Sequence, residues 1–251
     1  MNLEGSTVLV TGANRGIGRA IAKELADRGA NVLAGVRVLD AAHAMDDGPS
    51  LSPVHMDLSS PGSIESSVKE LGGRRVDILV NNAGVFVGGL LESQDVDRIY
   101  ELLQVNLAGS IHLTRLLLPQ MLERGSGKLV INSSIIAHAP FPGATTYAAS
   151  KAGLAGFAQS LRRELGETEI SVLELVTPGV DTDMMDEVQR DYEGHSNTSK
   201  WGHWKPEDWA KKVADAIEND ENQLSPGGGE WLAKLAPKRL LDAAAKRGFS
   251  R

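Results

Sequence analysis

Tyr147 and Lys151, four positions apart, are the two side chains in this sequence best spaced for chemistry. In a helix that spacing sets both on one face, one turn apart. A phenol with an ordinary pKa of about 10 is a poor reservoir of base at neutral pH. A nearby ammonium favours phenolate, and lowering the pKa by ~2–3 units takes roughly 3–4 kcal/mol of differential stabilisation. Ser134, thirteen positions before Tyr147, adds a hydroxyl, and Asn106 adds an amide. A hydroxyl that donates a hydrogen bond and a phenol that supplies a proton suit an oxygen on which negative charge is building. Each residue also has a plainer reading. Ser134 could cap the segment after a strand, Asn106 could bridge backbone groups within a helix, and Tyr147 could be a half-buried aromatic at a helix start.

Positioning such groups requires a scaffold, and the hydrophobic pattern supplies one. Short apolar runs at 6–11, 31–36, 52–56, 77–80, 128–132 and 170–176 read as buried strands. Between them lie stretches with helical spacing at 17–28, 61–71, about 95–124 with a break near Gly109, 147–165 and 206–218. The alternation predicts an α/β fold, a doubly wound parallel sheet of six or seven strands with helices on both faces. A seventh strand is not evident, and residues 38–52 are too polar and broken for a long helix. No linker divides the chain, so residues 1–251 are expected to form one domain. Ser225 to Gly229 reads as a turn before a helix near 230–246.

The first strand runs directly into Thr11-Gly-Ala-Asn-Arg-Gly-Ile-Gly18. Gly12 permits a tight turn into the helix, Gly16 allows the backbone to approach a pyrophosphate, and Gly18 lets helix and strand pack closely. Asn14, Arg15 and Ile17 complete this loop, and the helix start offers unpaired N–H groups to phosphate. At the end of the second strand an NAD enzyme often carries Asp or Glu, but here the sequence is Gly35-Val-Arg37. Arg37, with Arg15, could instead pair with a ribose 2′-phosphate, since guanidinium matches phosphate geometry. NADP(H) is therefore expected ahead of NAD(H), which stays open.

Asn81-Asn-Ala-Gly84 after the fourth strand, Asn106, Ser134 and Tyr147-Ala-Ala-Ser-Lys151 follow the glycine turn in order. Together they resemble the short-chain dehydrogenase/reductase family, from Thr11 to about Thr182. The resemblance implies a single-domain Rossmann fold and assigns Asn106, Ser134, Tyr147 and Lys151 to the catalytic tetrad. Tyr147 would be the general acid/base and Lys151 would also bond the nicotinamide ribose, while Asn106 would support a water-linked proton relay. It further places Asp57 and Leu58 near the adenine, Asn81, Ala83 and Gly84 along the adenosine, and Pro178, Gly179 and Val180 beside the nicotinamide. Thr182 would hold the carboxamide, although only Val180 and Asp181 separate it from Pro-Gly where the family usually has three residues. The implied activity is an NADP(H)-dependent reduction of a ketone or aldehyde to an alcohol, or the reverse. A sugar-nucleotide epimerase or dehydratase would usually need a larger C-terminal domain, and a cofactor sensor would not need Ser134, Tyr147 and Lys151.

Ligands of such sheets sit beyond the carboxyl ends of the strands. That expectation puts Phe86, Ile136, Phe141 and Met184 around substrate beside Ser134 and Tyr147, under a lid over 184–205. Trp201 and Trp204 in the lid suggest an apolar ligand or a subunit contact. His195 and His203 have only Glu193 nearby, so no metal is expected. A net charge of −7 disfavours nucleic acid, no apolar run reaches the ~20 residues of a membrane span, and cysteine is absent. No signal peptide is evident and a cytoplasmic enzyme is expected, assembled as a homodimer or homotetramer. The basic tail carrying Lys234, Lys238, Arg239, Lys246, Arg247 and Arg251 reads as a solvated helix face or subunit contact.

Overall fold

The computed structural model describes residues 1–39, 50–193, 195 and 204–227. The basic tail, the expected 230–246 helix, most of the 38–52 stretch, Trp201 and His203 lie outside the described residues. Seven parallel strands form one sheet in the order β3-β2-β1-β4-β5-β6-β7. They are β1 (Thr7–Thr11), β2 (Asn31–Val36), β3 (Leu51–His55), β4 (Ile78–Asn81), β5 (Gly127–Asn132), β6 (Ile170–Leu175) and β7 (Gln223–Leu224). The chain starts at β1, winds outward through β2 and β3, then crosses back to β4 on the other side of β1. This reversal between β1 and β4 opens a crevice at the carboxyl edge, where such sheets bind ligands.

β1 is buried from Val8 to Thr11, β2 from Val32 to Val36, and β4 and β5 throughout, as expected for strands covered on both faces. On one face, Ile21, Ala22 and Leu25 of α1 (Gly16–Asp27) pack with Trp209, Val213 and Ile217 of α7 (Pro206–Glu218). On the other, Ile64 of α2 (Pro61–Glu70), Leu113 and Leu117 of α4 (Ser110–Arg124) and Leu154 and Ala158 of α5 (Thr145–Glu164) form the second core. Pro61 sits in the first turn of α2 behind a Ser60 cap, and Pro206 starts α7, as their positions in the sequence predict.

Two elements differ from expectation. β7 exists, but as a two-residue strand (Glu174 pairing with Gln223, Leu175 with Leu224), too short for any period to show. The expected helix near 95–124 is not broken at Gly109. α3 (Val96–Leu103) passes through a π-helical segment (Gln104–Gly109) directly into α4. Gly109 is needed there because a Cβ would lie 2.9 Å from Leu58 Cβ and 3.0 Å from the Leu58 carbonyl oxygen. The wide turn inserts its residues against the β4 loop, and Asn106 is one of them.

Candidate active site

The glycine turn is held against the loop after β4. Gly12 has φ +66° and Gly16 φ +53°, conformations that glycine adopts without strain. A Cβ on Gly18 would meet the Gly12 carbonyl oxygen at 2.1 Å and Asn82 Nδ2 at 2.4 Å, so no side chain fits between helix and strand. Arg15 occupies the position before α1 without capping it through its side chain. The side chain of Arg15 turns away to Asp183, 3.2 Å from its carboxylate in an exposed ion pair. Arg15 is thus engaged with the neighbouring loop, whereas Arg37 stands exposed at the end of β2.

A belt of polar side chains crosses the carboxyl ends of four strands. The Thr11 hydroxyl accepts from the Asn82 and Ala83 N–H groups at 3.0 and 2.9 Å, and Asn82 Nδ2 donates to the Thr11 carbonyl at 3.0 Å. Asn132 Nδ2 donates to Asn82 Oδ1 at 2.9 Å, and the Thr177 hydroxyl donates to Asn132 Oδ1. These residues lie at β1, just past β4, at β5 and just past β6. Sequence reading singled out neither Asn132 nor Thr177, since only the strand order brings them together.

Lys151 enters this belt from α5. Its Nζ donates to the Asn132 carbonyl at 2.8 Å and lies 5.7 Å from the centroid of the Tyr147 ring. Lys151 is 4% exposed, Tyr147 is half-buried, and both belong to the face of α5 turned to the sheet edge. Ser134 follows β5, accepts from the Ile136 N–H at 3.3 Å and lies 3.4 Å from the Thr177 carbonyl as donor. The capping role foreseen for Ser134 is therefore real, and it fixes the hydroxyl at the start of a short turn (Ile135–Ala137). Asn106 is fully buried, accepting from the Val85 N–H at 2.8 Å and donating to the Val85 carbonyl at 2.9 Å and to Ser150 Oγ at 3.3 Å. Its amide thereby ties the π-helical segment to the backbone that follows Gly84 and to α5.

Without a bound nicotinamide, burial dominates the electrostatics of the Tyr147–Lys151 pair. Burial pushes the Tyr147 phenol well above its ordinary value and lowers Lys151 to about 8. Both shifts have one cause, removal of water from a group that would be charged. In this pocket Lys151 does not, on its own, make phenolate the favoured form.

Phe86, Ala144 and Tyr192 form a third apolar cluster, with Ile136, Phe141, Tyr147, Met184 and Val188 packed against it. Four side chains expected around substrate, Phe86, Ile136, Phe141 and Met184, thus belong to or pack against the same apolar cluster as Tyr147. Phe86 meets Tyr147 edge-on at 5.1 Å, and Met184 sulfur lies 4.0 Å from the hydroxyl. The segment beyond Thr182 opens as α6 (Asp183–Asp191), whose Asp191 accepts from the Gly88 N–H at 3.1 Å. Tyr192, 1% exposed, donates to the Pro142 carbonyl at 2.8 Å and anchors the helix rather than facing a ligand. Trp204 is likewise no lid residue. It packs edge-on against buried Trp209 at 5.7 Å and bridges to Val180.

The remaining cofactor positions divide in two. Ala83 lies under Gly12, where a Cβ would be 3.0 Å from Ala83 Cα, and Thr182 lies beside Gly16 in the same manner at 3.1 Å. Gly84 borders Asn106, while the Gly179 carbonyl accepts from the Trp204 N–H at 3.0 Å, with Pro178 buried beside it. Asp57 is turned to the Ser59 N–H and hydroxyl at 3.0 and 2.8 Å. The side chains of Leu58 and Val180 are in the core at 4% and 3% exposure, and Asn81 donates to the Thr114 hydroxyl at 3.0 Å. Among the described residues there is no cluster of three or more metal-ligating side chains, and no helix is long and apolar enough to cross a membrane.

A parallel sheet whose switch point carries a glycine turn, with a phenol and an amine of one helix opening beside it, defines a nicotinamide-dependent oxidoreductase. The sequence profile of short chain dehydrogenases matches residues 6–193, and the chain belongs to that family of NAD(P)-dependent enzymes. It is 38% identical to the 3-oxoacyl-(acyl-carrier-protein) reductase FabG of Escherichia coli (strain K12) over 189 residues, 73% of this chain and 77% of that protein. A dehydrogenase/reductase SDR family protein 7-like of Anopheles gambiae is 32% identical over 98% of this chain and 84% of its own. Among solved structures, a putative NAD(P)-dependent gluconate 5-dehydrogenase from Beutenbergia cavernae with bound NADP superposes with TM-score 0.80 at 33% identity. That match covers 92% of this chain and 98% of the other.

Proposed function

We propose that this chain reduces an apolar ketone or aldehyde to the alcohol with NADPH, and catalyses the reverse oxidation at high alcohol concentration. The observation that carries this reading is the Tyr147 hydroxyl. It lies against Phe86 and Met184, in the apolar cluster that Ile136 and Phe141 also join, on the helix whose Lys151 is tied to the carboxyl end of β5. The residues present fit a dinucleotide: the first-turn N–H groups of α1 have no side-chain cap, and no Cβ fits at Gly18. Gly12 to Gly18 would hold the pyrophosphate, Lys151 the nicotinamide ribose, and exposed Arg37 the 2′-phosphate that distinguishes NADPH from NADH. Bound there, the reduced nicotinamide supplies the hydride that turns the carbonyl carbon into a carbinol carbon.

This chain's residues manage the oxygen. Ser134 donates a hydrogen bond to it, and Tyr147 releases its proton to it as the C=O bond becomes C–O. The raised phenol pKa suits the reductive direction, because the acid is loaded at neutral pH. Lys151 supplies positive charge beside the phenolate left behind. The apolar cluster excludes water and prefers a substrate with hydrocarbon next to the carbonyl. Assembly as a homodimer or homotetramer through the long helices is supported by Val96 and Tyr100, exposed on one face of α3.

A spectrophotometric screen of NADPH oxidation across ketones, aldehydes, quinones and 3-oxoacyl thioesters tests the reading. Turnover is expected with apolar carbonyls. Absence of turnover on every class would overturn it.

A further inference from the structure

β6 carries a charge where its pattern calls for hydrocarbon. Ile170 and Val172, two residues apart on one face, join the core shared with α4 and α5, and the next position on that face is Glu174. Glu174 is 0% exposed. Burying a carboxylate is costly unless donors surround it, whereas leucine at this site would simply extend the apolar stripe. Three donors do surround it. Ser133 Oγ and His138 Nε2 lie 2.9 and 3.1 Å from Oε1, and Gln223 Nε2 donates to Oε2 at 2.8 Å. Burial raises the Glu174 carboxyl, and the bonds from His138, Gln223 and Ser133 outweigh it, so the group stays ionised. A carboxylate only accepts, so His138 carries a hydrogen on Nε2.

The two residues bound to Oε1 bracket the active-site turn. Ser133 immediately precedes Ser134, and His138 closes the turn whose Ile136 joins the same apolar cluster as Tyr147. The single Ser133 hydroxyl hydrogen is shared between Glu174 Oε1 and the Leu175 carbonyl, also 2.9 Å away, and the Ile135 N–H donates to the Thr177 carbonyl at 3.0 Å. One oxygen of β6 therefore grips both ends of the segment that presents the Ser134 hydroxyl. We propose that Glu174 and His138 are positioning residues, a buried clamp that fixes the Ser134 turn and so aims its hydroxyl at the substrate oxygen. The clamp rests on the carbonyl-reductase reading for its effect on rate, but its hydrogen bonds are testable without turnover.

Glu174→Leu lowers kcat at saturating substrate and NADPH by about tenfold or more, the scale of a misaimed catalytic group. NADPH affinity and melting temperature stay close to the parent's. His138→Gln, which returns a donor to the Nε2 position, keeps most of the activity. His138→Ala loses as much as Glu174→Leu, and the double variant loses no more than either alone. A kcat for Glu174→Leu within about twofold of the parent, or an additive double variant, overturns the clamp. Should Glu174→Leu fail to fold, Ser133→Ala and His138→Ala apply the same criterion. Independently, the imidazole ¹⁵N spectrum of the parent shows a hydrogen-bonded Nε2–H, assigned by its loss in His138→Gln and abolished in Glu174→Leu. Persistence of that signal in Glu174→Leu also overturns the clamp. A parent that turns over no carbonyl refutes the enzyme reading while leaving the spectral test intact.

Discussion

Lys151 reaches from α5 to donate a 2.8 Å hydrogen bond to the main-chain carbonyl of Asn132, the last residue of β5. An ammonium tied to a strand cannot wander with its own helix surface, so its distance from Tyr147 is set by the packing of α5 on the sheet. The bond also stabilises a charge that burial disfavours, and Lys151 settles near a pKa of about 8.

That value gives a pH profile. Lys151 is charged below about pH 8 and loses its proton above it. The reductive kcat should hold through neutral pH and decline as pH rises through about 8, a limb that Lys151→Arg should move upward because guanidinium stays protonated. A profile flat to pH 9.5 at saturating NADPH would contradict the role given to the ammonium.

Tyr147→Phe removes the proton donor but keeps the ring against Phe86. Turnover should fall about 10²–10⁴-fold, the usual contribution of a positioned acid. NADPH binding, followed by fluorescence titration, should be nearly unchanged. Retention of parental kinetics would refute Tyr147 as the acid.

Arg37→Asp should shift cofactor choice toward NADH. Loss of a charge-assisted hydrogen bond to phosphate, about 1.5–3 kcal/mol, corresponds to roughly tenfold or more in the ratio of kcat/KM for NADPH to that for NADH. An unchanged ratio would remove Arg37 from the 2′-phosphate site. It would turn attention to Arg15, which Asp183 now engages.

Gly18→Ala should be damaging in two ways. Its methyl would press on the Gly12 carbonyl and Asn82 amide, both part of the crevice wall. Forcing extra carbon into a packed site costs about 1–3 kcal/mol. Chemical denaturation should register that loss, together with a fall in NADPH affinity; an alanine variant equal to the parent in both would show that helix and strand can separate freely.

The parts of this site that were readable in sequence share one property: their geometry is local. Tyr147 and Lys151 lie one helical turn apart, Gly12 to Gly18 make one bend, and Pro61 and Pro206 mark helix starts within a residue of the observed ones. What escaped depends on strand order or on contacts across the chain. The Arg15 guanidinium meets a carboxylate 168 positions away, and Asn132 joins Asn82 across 50. Trp204 looked like a ligand or subunit contact because nothing in its neighbourhood of the sequence reveals that Trp209 packs beneath it. The π-helical turn around Asn106 escaped for another reason. A π turn has no residue type of its own to mark it, and the six residues of this one are too few for their period to be told from that of the α-helix around them.

The chain of side-chain bonds from Thr11 through Asn82 and Asn132 to Thr177 runs at right angles to the strands. Backbone ladders resist one strand sliding past another, and this lateral seam resists fanning of their tips. α6 lies outside this seam and is tied to the glycine turn and to the loop after β4 by exposed contacts, Asp183 with Arg15 and Asp191 with the Gly88 N–H.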